Sequence, residues 1–354
     1  MTVTVAVDAM GGDHGPAEIV AGARAVAAEG VRVLLCGMPD SIGAALGHGV
    51  DGIEIVPATD VISSTEEPVA AVRAKPDSSM VTACRLVRDG SAAAVVSAGS
   101  TGAMLAASLL HVGRVRGIVR PGIGAPLPAR GGMCLLIDAG ANADARPESL
   151  LQFGVMGSLF MHDVMGVESP RVGLLSIGEE PTKGNAVTLE AHRMLACAPD
   201  IDFAGNCEGR DVLTGRFQVV VAEGFSGNVL LKALEGTASI LLTDLRAAAR
   251  SSVRATVGGY LLRPALRTMR ERTDPETYGG AYLLGLRGVV VIAHGNAGRR
   301  GIANAIRIGA RGAEADLVGR LTERLSEGRP TSDLQASPAI NTVPQVTAPE
   351  IGDQ

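Results

Sequence analysis

Along the first 326 positions, short runs in which every residue is apolar alternate with longer stretches of helical periodicity. Residues 92–96 and 289–293 are such runs, and 3–7 and 31–36, interrupted at Thr4 and Arg32, also read as strands. Further strands are expected near 53–56, 133–137, 171–176 and 217–221. A strand that is apolar at each position, not every second one, is buried on both faces, as in a parallel sheet covered by helices. Helices are expected over about 16–29 and 40–46, and near 65–74, 78–89, 101–112, 147–164, 185–196, 226–256 and 298–326. Pro16 suits a first helical position, where its missing N–H costs nothing. The alternation predicts an α/β fold of three layers, α/β/α, around a mostly parallel sheet. Two stretches read as irregular. Residues 117–130, rich in Pro and Gly, read as a crossover loop. Residues 327–354, with four prolines and few large apolar side chains, read as a disordered tail beyond a folded domain of residues 1–326.

Composition narrows the function classes. Glycine supplies 46 of 354 residues with no three-residue period, so collagen is excluded and the glycines belong to turns and close backbone approaches. Net charge is 32 − 37 = −5, and three Tyr, five Phe and no Trp offer few stacking platforms, so nucleic-acid binding is not expected. Five scattered cysteines without a C-x-x-C predict neither a disulfide framework nor a cysteine zinc site, and point to a reducing cytosol. No basic segment precedes Asp8, and no apolar run approaches the roughly 18 residues of a membrane span. A cytoplasmic protein is expected.

The informative pattern is a set of polar, glycine-rich turns at strand ends. They are Asp8-Ala9-Met10-Gly11-Gly12-Asp13-His14-Gly15, Ser97-Ala98-Gly99-Ser100-Thr101-Gly102 and Asp138-Ala139-Gly140-Ala141-Asn142. Gly178-Glu179-Glu180 with Lys183-Gly184-Asn185, Glu223-Gly224-Phe225-Ser226-Gly227-Asn228 and His294-Gly295-Asn296 complete the set. Ligands of open parallel sheets lie outside the carboxyl ends of the strands, so most of these turns are expected on one cleft. Helix N-termini there offer free N–H groups and partial positive charge to an anion. None is a G-x-x-x-x-G-K-[ST] loop and no G-x-G-x-x-G opens the first helix, so the expected ligand is phosphate-like but not a nucleotide.

Lysine is scarce: Lys75, Lys183 and Lys232 are the full set. Lys183, in a glycine turn, suits a phosphate oxygen or a developing oxyanion, or reads as a solvated loop cation. His14 reads as a base, an acid, a phosphate donor or a turn-capping residue. Asn228 and Lys232, four apart at a helix start, share a face, although Lys232 reads more readily as a surface or packing lysine. Cys207, beside Asn206, is the one cysteine with a case as a nucleophile. The others read as small buried hydrophobes.

These turns resemble the phosphate acyltransferase (PlsX) family of bacterial phospholipid synthesis. The first turn with Pro16, the run Arg73-Ala74-Lys75-Pro76-Asp77-Ser78-Ser79-Met80, the 138–142, 178–185 and 224–228 turns, Tyr278-Gly279-Gly280 with Leu283-Leu284-Gly285, and His294-Gly295 carry the resemblance. It spans about residues 3–325. Ser100 stands where the family usually has Asn, Glu223 where it has Asp, and Tyr282 where Pro is common. The resemblance implies a fold like that of isopropylmalate dehydrogenases and phosphotransacetylases, usually as a homodimer. It also implies a reaction in which inorganic phosphate attacks the thioester of a long-chain acyl-carrier protein, giving acyl phosphate, which a membrane acyltransferase uses to acylate glycerol 3-phosphate. No metal or other cofactor is implied. On this reading Lys183, His14 and Asn228 are catalytic. Asp8, Gly11, Gly12, Asp13, Ser97, Gly99, Ser100, Thr101, Gly102, Asn142, Gly184, Asn185, Gly227, Lys232 and His294 bind substrate.

Residues 237–272 read as an amphipathic helical hairpin divided by Gly258-Gly259. Between Arg246 and Arg272 stand seven Arg against one acid, Glu271, a local charge of 7 − 1 = +6. At 100° per residue Leu262, Leu266 and Met269 share a face, flanked by Arg263, Arg267 and Arg270. With Arg254 and Leu261, this face suits an anionic membrane surface or an acidic carrier protein, the alternative being a core-packed helix with a solvated basic side. A protein peripherally attached to the inner face of the cell membrane is therefore expected. Three other functions fit parts of the pattern: a short-chain phosphotransacetylase using coenzyme A thioesters, a metal- and NAD-dependent decarboxylating dehydrogenase, and a non-catalytic membrane scaffold.

Overall fold

Side-chain alternation divides the core in two. In β1 (Thr4–Asp8), Val5 and Val7 enter one apolar cluster and Ala6 the other. In β4 (Ala94–Ser97), Ala94 and Val96 oppose Val95, and in β11 (Val289–Ile292), Val289 and Val291 oppose Val290 and Ile292. Each strand therefore buries both faces, which is why its central residues are all apolar. The computed structural model describes residues 2–199 and 201–327, leaving the side chains of 268–273, 275, 326 and 327 outside that description.

The remaining strands are β2 (Arg32–Gly37), β3 (Ile53–Pro57), β5 (Gly122–Ala129), β6 (Gly132–Ile137), β7 (Arg171–Leu175), β8 (Asp202–Cys207), β9 (Val219–Val221) and β10 (Ala281–Leu284). They form one sheet in the order β3-β2-β1-β4-β11-β10-β5-β6-β9-β7-β8. Seven pairings are parallel. The three that involve β10 or β5 are antiparallel. The set β3-β2-β1-β4-β11 thus runs one way and the set β6-β9-β7-β8 runs against it. Their carboxyl ends meet on one row: Asp8 beside Cys36, Ser97 beside Ile292, Ile292 beside Ala281, then Gly124, Ile137 and Val221 in register, with Leu175 beside Cys207 at the far end.

Helices α1 (Ala17–Ala27), α2 (Pro39–Leu46), α3 (Pro68–Ala74), α4 (Ser79–Arg88), α5 (Thr101–Ala107), α6 (Pro147–Leu159) and α7 (Ala186–Ala196) fall where periodicity places them. Pro16 takes the position just before the first helical residue of α1, not the first one. After α8 (Gly224–Ala249) and α9 (Val253–Thr273) the chain closes with α10 (Arg299–Glu314) and α11 (Leu317–Glu327). The tail expected from residue 327 lies outside the described residues, except that Glu327 ends α11.

Three readings change. Residues 122–129 are not a crossover loop but the longest strand of the sheet. The Ile123 N–H donates to Asp138 and its carbonyl accepts from Ala139, so odd-numbered residues of β5 face β6. Pro126 and Pro128 face the other way, beyond Gly124, where β10 has ended, so no ladder bond is lost. The short strands β8 and β10 were not anticipated. Last, the helical hairpin turns at residues 250–252 and not at Gly258-Gly259, which lies inside α9. Ser252 caps α9 by accepting the Ala255 N–H, and Gly259 lets Ala249 approach, with only 3.0 Å between the Ala249 methyl and the place a Cβ would take. A helical glycine costs about 1 kcal/mol relative to alanine, less than a cap and a close helix contact can offset.

Helices α1 and α10 share one long contact, fastened at one end by Glu18 and Arg299. The Arg299 guanidinium and backbone N–H hold the Glu18 carboxyl at about 2, well below its ordinary 4.5. A depressed pKa contributes stability that is complete above pH 4.5 and is lost as pH falls towards 2. Glu18→Gln is expected to lower stability at pH 7 by at most about 1 kcal/mol, the pair being largely solvated. It should also flatten the acid limb of urea-unfolding free energy between pH 4.5 and 2. An unchanged acid limb would assign that limb to other carboxylates.

Candidate active site

A cavity of about 600 Å³ opens where the two strand sets meet. Gly99, Thr101 and Gly102 from the end of β4, with His294 and Gly295 from the end of β11, line one side. Ala139 and Gly140 after β6, and Gly224, Phe225, Asn228 and Lys232 of α8, line the other. The antiparallel strands form the floor with Ile123, Ala125, Pro126 and Ala281, extended by Leu105 and Leu231. Polar turns and an apolar floor thus share one space.

Two buried carboxylates hold the turns in shape. Asp8 accepts from Ser97 Oγ (2.7 Å) and from the Met10 N–H (3.2 Å), and Ser97 in turn accepts from the Gly99 N–H (3.0 Å). Burial raises the Asp8 carboxyl above its usual range, with hydrogen bonds from Ser79 and Ser97 opposing the shift. Asp138, fully buried, accepts five N–H groups: Ile123, Gly140 and Ala141 on Oδ1, and the Asn142 backbone and side chain on Oδ2. The start of α8 lies directly on this second turn. A Cβ at Gly227 would overlap the Asp138 carbonyl, and one at Gly224 the Asn142 carbonyl. Glycine at both positions is what lets the helix N-terminus enter the cavity.

Of the residues singled out by sequence, Gly99, Thr101, Gly102, Asn228, Lys232 and His294 line this cavity. Gly11, Gly12 and Asp13 stand directly behind it. The Asp13 N–H donates to the Gly295 carbonyl (2.7 Å), and Gly11 packs on Gly99. Asp8, Ser97 and Asn142 are buried with their polar atoms engaged by one another's turns, so they support the lining and do not form it. Ser100 caps α5 through Ala103, and Gly227 is a packing glycine. His14, exposed, and Lys183, Gly184 and Asn185 are not part of the lining. Asn185 caps α7 by accepting the Thr188 N–H (2.9 Å). Lys183 is exposed and, among the described residues, has no carboxylate within ion-pair distance, whereas Lys75 pairs with Glu66 and Lys232 with Glu235.

Sequence reasoning missed the floor, because the glycines and prolines of β5 read as a loop and β10 is only four residues long. It also gave Cys207 a case as a nucleophile, whereas burial pushes its thiol up to about 12, away from the thiolate form. Among the described residues no group of three His, Cys, Asp or Glu side chains is placed to hold a metal. Beyond residue 235, α8 and α9 are largely exposed, including Ile240, Leu241, Val253, Val257, Tyr260, Leu261 and Leu262. Arg254, Arg263 and Arg267 lie on the exposed surface of α9 and Leu266 is half-buried. The side chains of Met269 and Arg270 lie outside the described residues. No helix among the described residues is long and apolar enough to cross a membrane.

Comparison with known proteins agrees with this geometry. The family described as "Fatty acid synthesis protein" matches residues 3–320. The phosphate acyltransferase of Heliobacterium modesticaldum is 48% identical over 326 residues, covering 91% of this chain and 97% of its own. That of Trichodesmium erythraeum is 44% identical over 325 residues, covering 90% and 96%. Among solved structures, a phosphotransacetylase from Streptococcus pyogenes superposes with a TM-score of 0.61 over 88% of this chain and 94% of that one, at 16% identity. A branched-chain phosphotransacylase from Enterococcus faecalis does so at 0.55 and 15% identity, over 88% and 99%. The fold is therefore that of the phosphotransacetylases, and by sequence over nearly its whole folded length the chain belongs to the phosphate acyltransferase family.

Proposed function

We propose that this chain transfers a long-chain acyl group from the thioester of acyl-carrier protein to inorganic phosphate, for phospholipid synthesis. The observation that carries the reading is the two-sided cavity, polar at its glycine turns and apolar along its floor. A phosphate oxygen attacks the thioester carbonyl carbon, the C–S bond breaks, and the carrier leaves as a thiolate that takes up a proton. Phosphate is a competent nucleophile at neutral pH, so the protein's task is to position it and to stabilise the oxyanion. Lys183 neutralises phosphate or the tetrahedral oxyanion. Asn185 and Asn228 donate hydrogen bonds, His14 orients phosphate or protonates the thiolate, and the backbone N–H groups of Gly12 and residues 100–102 face the anion, those of Gly11 and Gly99 being held by Asp8 and Ser97. The Lys183 ammonium, with no carboxylate within ion-pair distance among the described residues, supports its role. Leu105, Ile123, Pro126 and Leu231 take the acyl chain, and this apolar stretch favours a long-chain donor over a short-chain coenzyme A thioester.

In the same reading the protein works as a homodimer at the inner face of the cell membrane. The basic, apolar surface of α8 and α9 contacts anionic lipid or the acidic carrier and delivers acyl phosphate to a membrane glycerol-3-phosphate acyltransferase. Support comes from the exposed apolar residues of both helices and the arginines beside them.

Phosphate-dependent release of carrier thiol from palmitoyl-acyl-carrier protein, with acyl phosphate identified by mass, is the direct test; release without phosphate would overturn the reading. Lys183→Ala is expected to lower kcat by roughly 100- to 1000-fold, the value of an oxyanion donor. Wild-type turnover and phosphate affinity in that variant would remove Lys183 from the mechanism. Leu262→Glu is expected to weaken sedimentation with anionic vesicles by about tenfold or more, since one buried leucine contributes about 1.5–3 kcal/mol. Unchanged sedimentation would mean that this face does not meet lipid.

A further inference from the structure

The turn that carries Lys183 joins β7 to α7 and fastens itself lightly. Ser176 Oγ donates to the Lys183 carbonyl (3.1 Å), and the Lys183 N–H donates to the Glu180 carbonyl (3.0 Å). The side-chain stem of Lys183 lies across Gly178, where a Cβ would sit 3.0 Å from its Cγ.

One buried side chain reaches this turn from the neighbouring strand. Asn206, next to last in β8 and 2% exposed, donates from Nδ2 to the Glu180 carbonyl (2.9 Å). Its Oδ1 lies 2.8 Å from His192 Nδ1 on α7. A carbonyl only accepts, so Glu180 dictates which end of the amide faces it. The other end is then an acceptor, and His192 must carry its proton on Nδ1. His192 is steadied in turn by the edge-on ring of Phe203, 5.1 Å away. The Glu180 carbonyl thus receives two donors, one from Lys183 itself and one from Asn206, and the amide ties the turn to both β8 and α7. Asn206 does not line the cavity, so any effect it has on the reaction passes through the turn.

We infer that Asn206 is a positioning residue for acyl transfer: through Glu180 it sets the turn that presents Lys183. The inference rests on the catalytic reading of Lys183. A double-mutant cycle on the full chain tests it, with palmitoyl-acyl-carrier protein and phosphate as substrates. Asn206→Leu removes both bonds. Asn206→Asp keeps size and an acceptor for His192 but loses the donor to Glu180, and serves where the leucine variant fails to fold. Each is expected to lower kcat by about 10- to 100-fold, the scale of a misplacement of about 1 Å. The KM for the acyl carrier should stay within about twofold of wild type, because the lost interaction acts in the transition state. Combined with Lys183→Ala, either should cost no more than about twofold beyond Lys183→Ala alone, since coupled residues are not additive. Wild-type kcat in both Asn206 variants, or a full multiplicative loss in the double variants, overturns the inference while leaving Lys183 catalytic. Wild-type kcat in Lys183→Ala overturns the catalytic reading itself, and the inference with it.

Discussion

Everything in this molecule depends on the reversal of strand direction at β10 and β5. Parallel strands end with their carboxyl groups and polar turns on one edge, and a single parallel sheet offers only one such edge. Here two parallel sets run towards each other, and the antiparallel pair between them aligns both sets of ends on one row, from Asp8 and Ser97 through Ile292 to Ile137 and Val221. The turns of β4, β6, β9 and β11 then face one another across a cavity. The same two strands supply its apolar floor, so the device that gathers the polar groups also builds the surface on which an acyl chain can lie.

Shape in such a site comes from groups behind its lining. Asp8 ends β1 and Asp138 follows β6; both are buried, Asp8 accepting from the Ser97 hydroxyl and the Met10 N–H and Asp138 from five N–H groups. A buried carboxyl group with such donors is costly to move, because each broken bond leaves a buried group unsatisfied. Glycine does the complementary work at Gly224 and Gly227, removing side chains so that backbone can touch backbone. The lining turns are therefore preorganised by the layer behind them, which is where much of the sequence signal around residues 8–13 and 138–142 acts.

Much of this was legible without coordinates. Apolar runs, unbroken at 92–96 and 289–293 and interrupted at Thr4 and Arg32 in the first two strands, identified β1, β2, β4 and β11 because burial on both faces leaves little room for polar residues, and helical periodicity placed most helices for the matching reason. The turns announced themselves through Gly, Asp, Asn and Ser at strand ends. What the pattern misread was local conformation set by partners. Pro126 and Pro128 look like loop residues until the neighbour on their N–H side is known to be absent, and Gly258-Gly259 looks like a break until Ala249 is found against it.

Residue types, their order and their spacing by themselves determined the fold class, the family, the polar turns and the single lysine set in a glycine turn, since these follow from periodicity and side-chain chemistry. The tertiary structure alone decided which turns share a wall, that the side chains of Asn142 and Ser97 are engaged in the layer behind the lining, and that among the described residues Lys183 has no carboxylate within ion-pair distance while Lys75 and Lys232 do. The physical reason is range. Propensity and patterning act over a few residues, whereas the cavity is made by strands that pair across 150 positions of sequence, and a side chain's role is set by whichever donor or acceptor the fold brings to it.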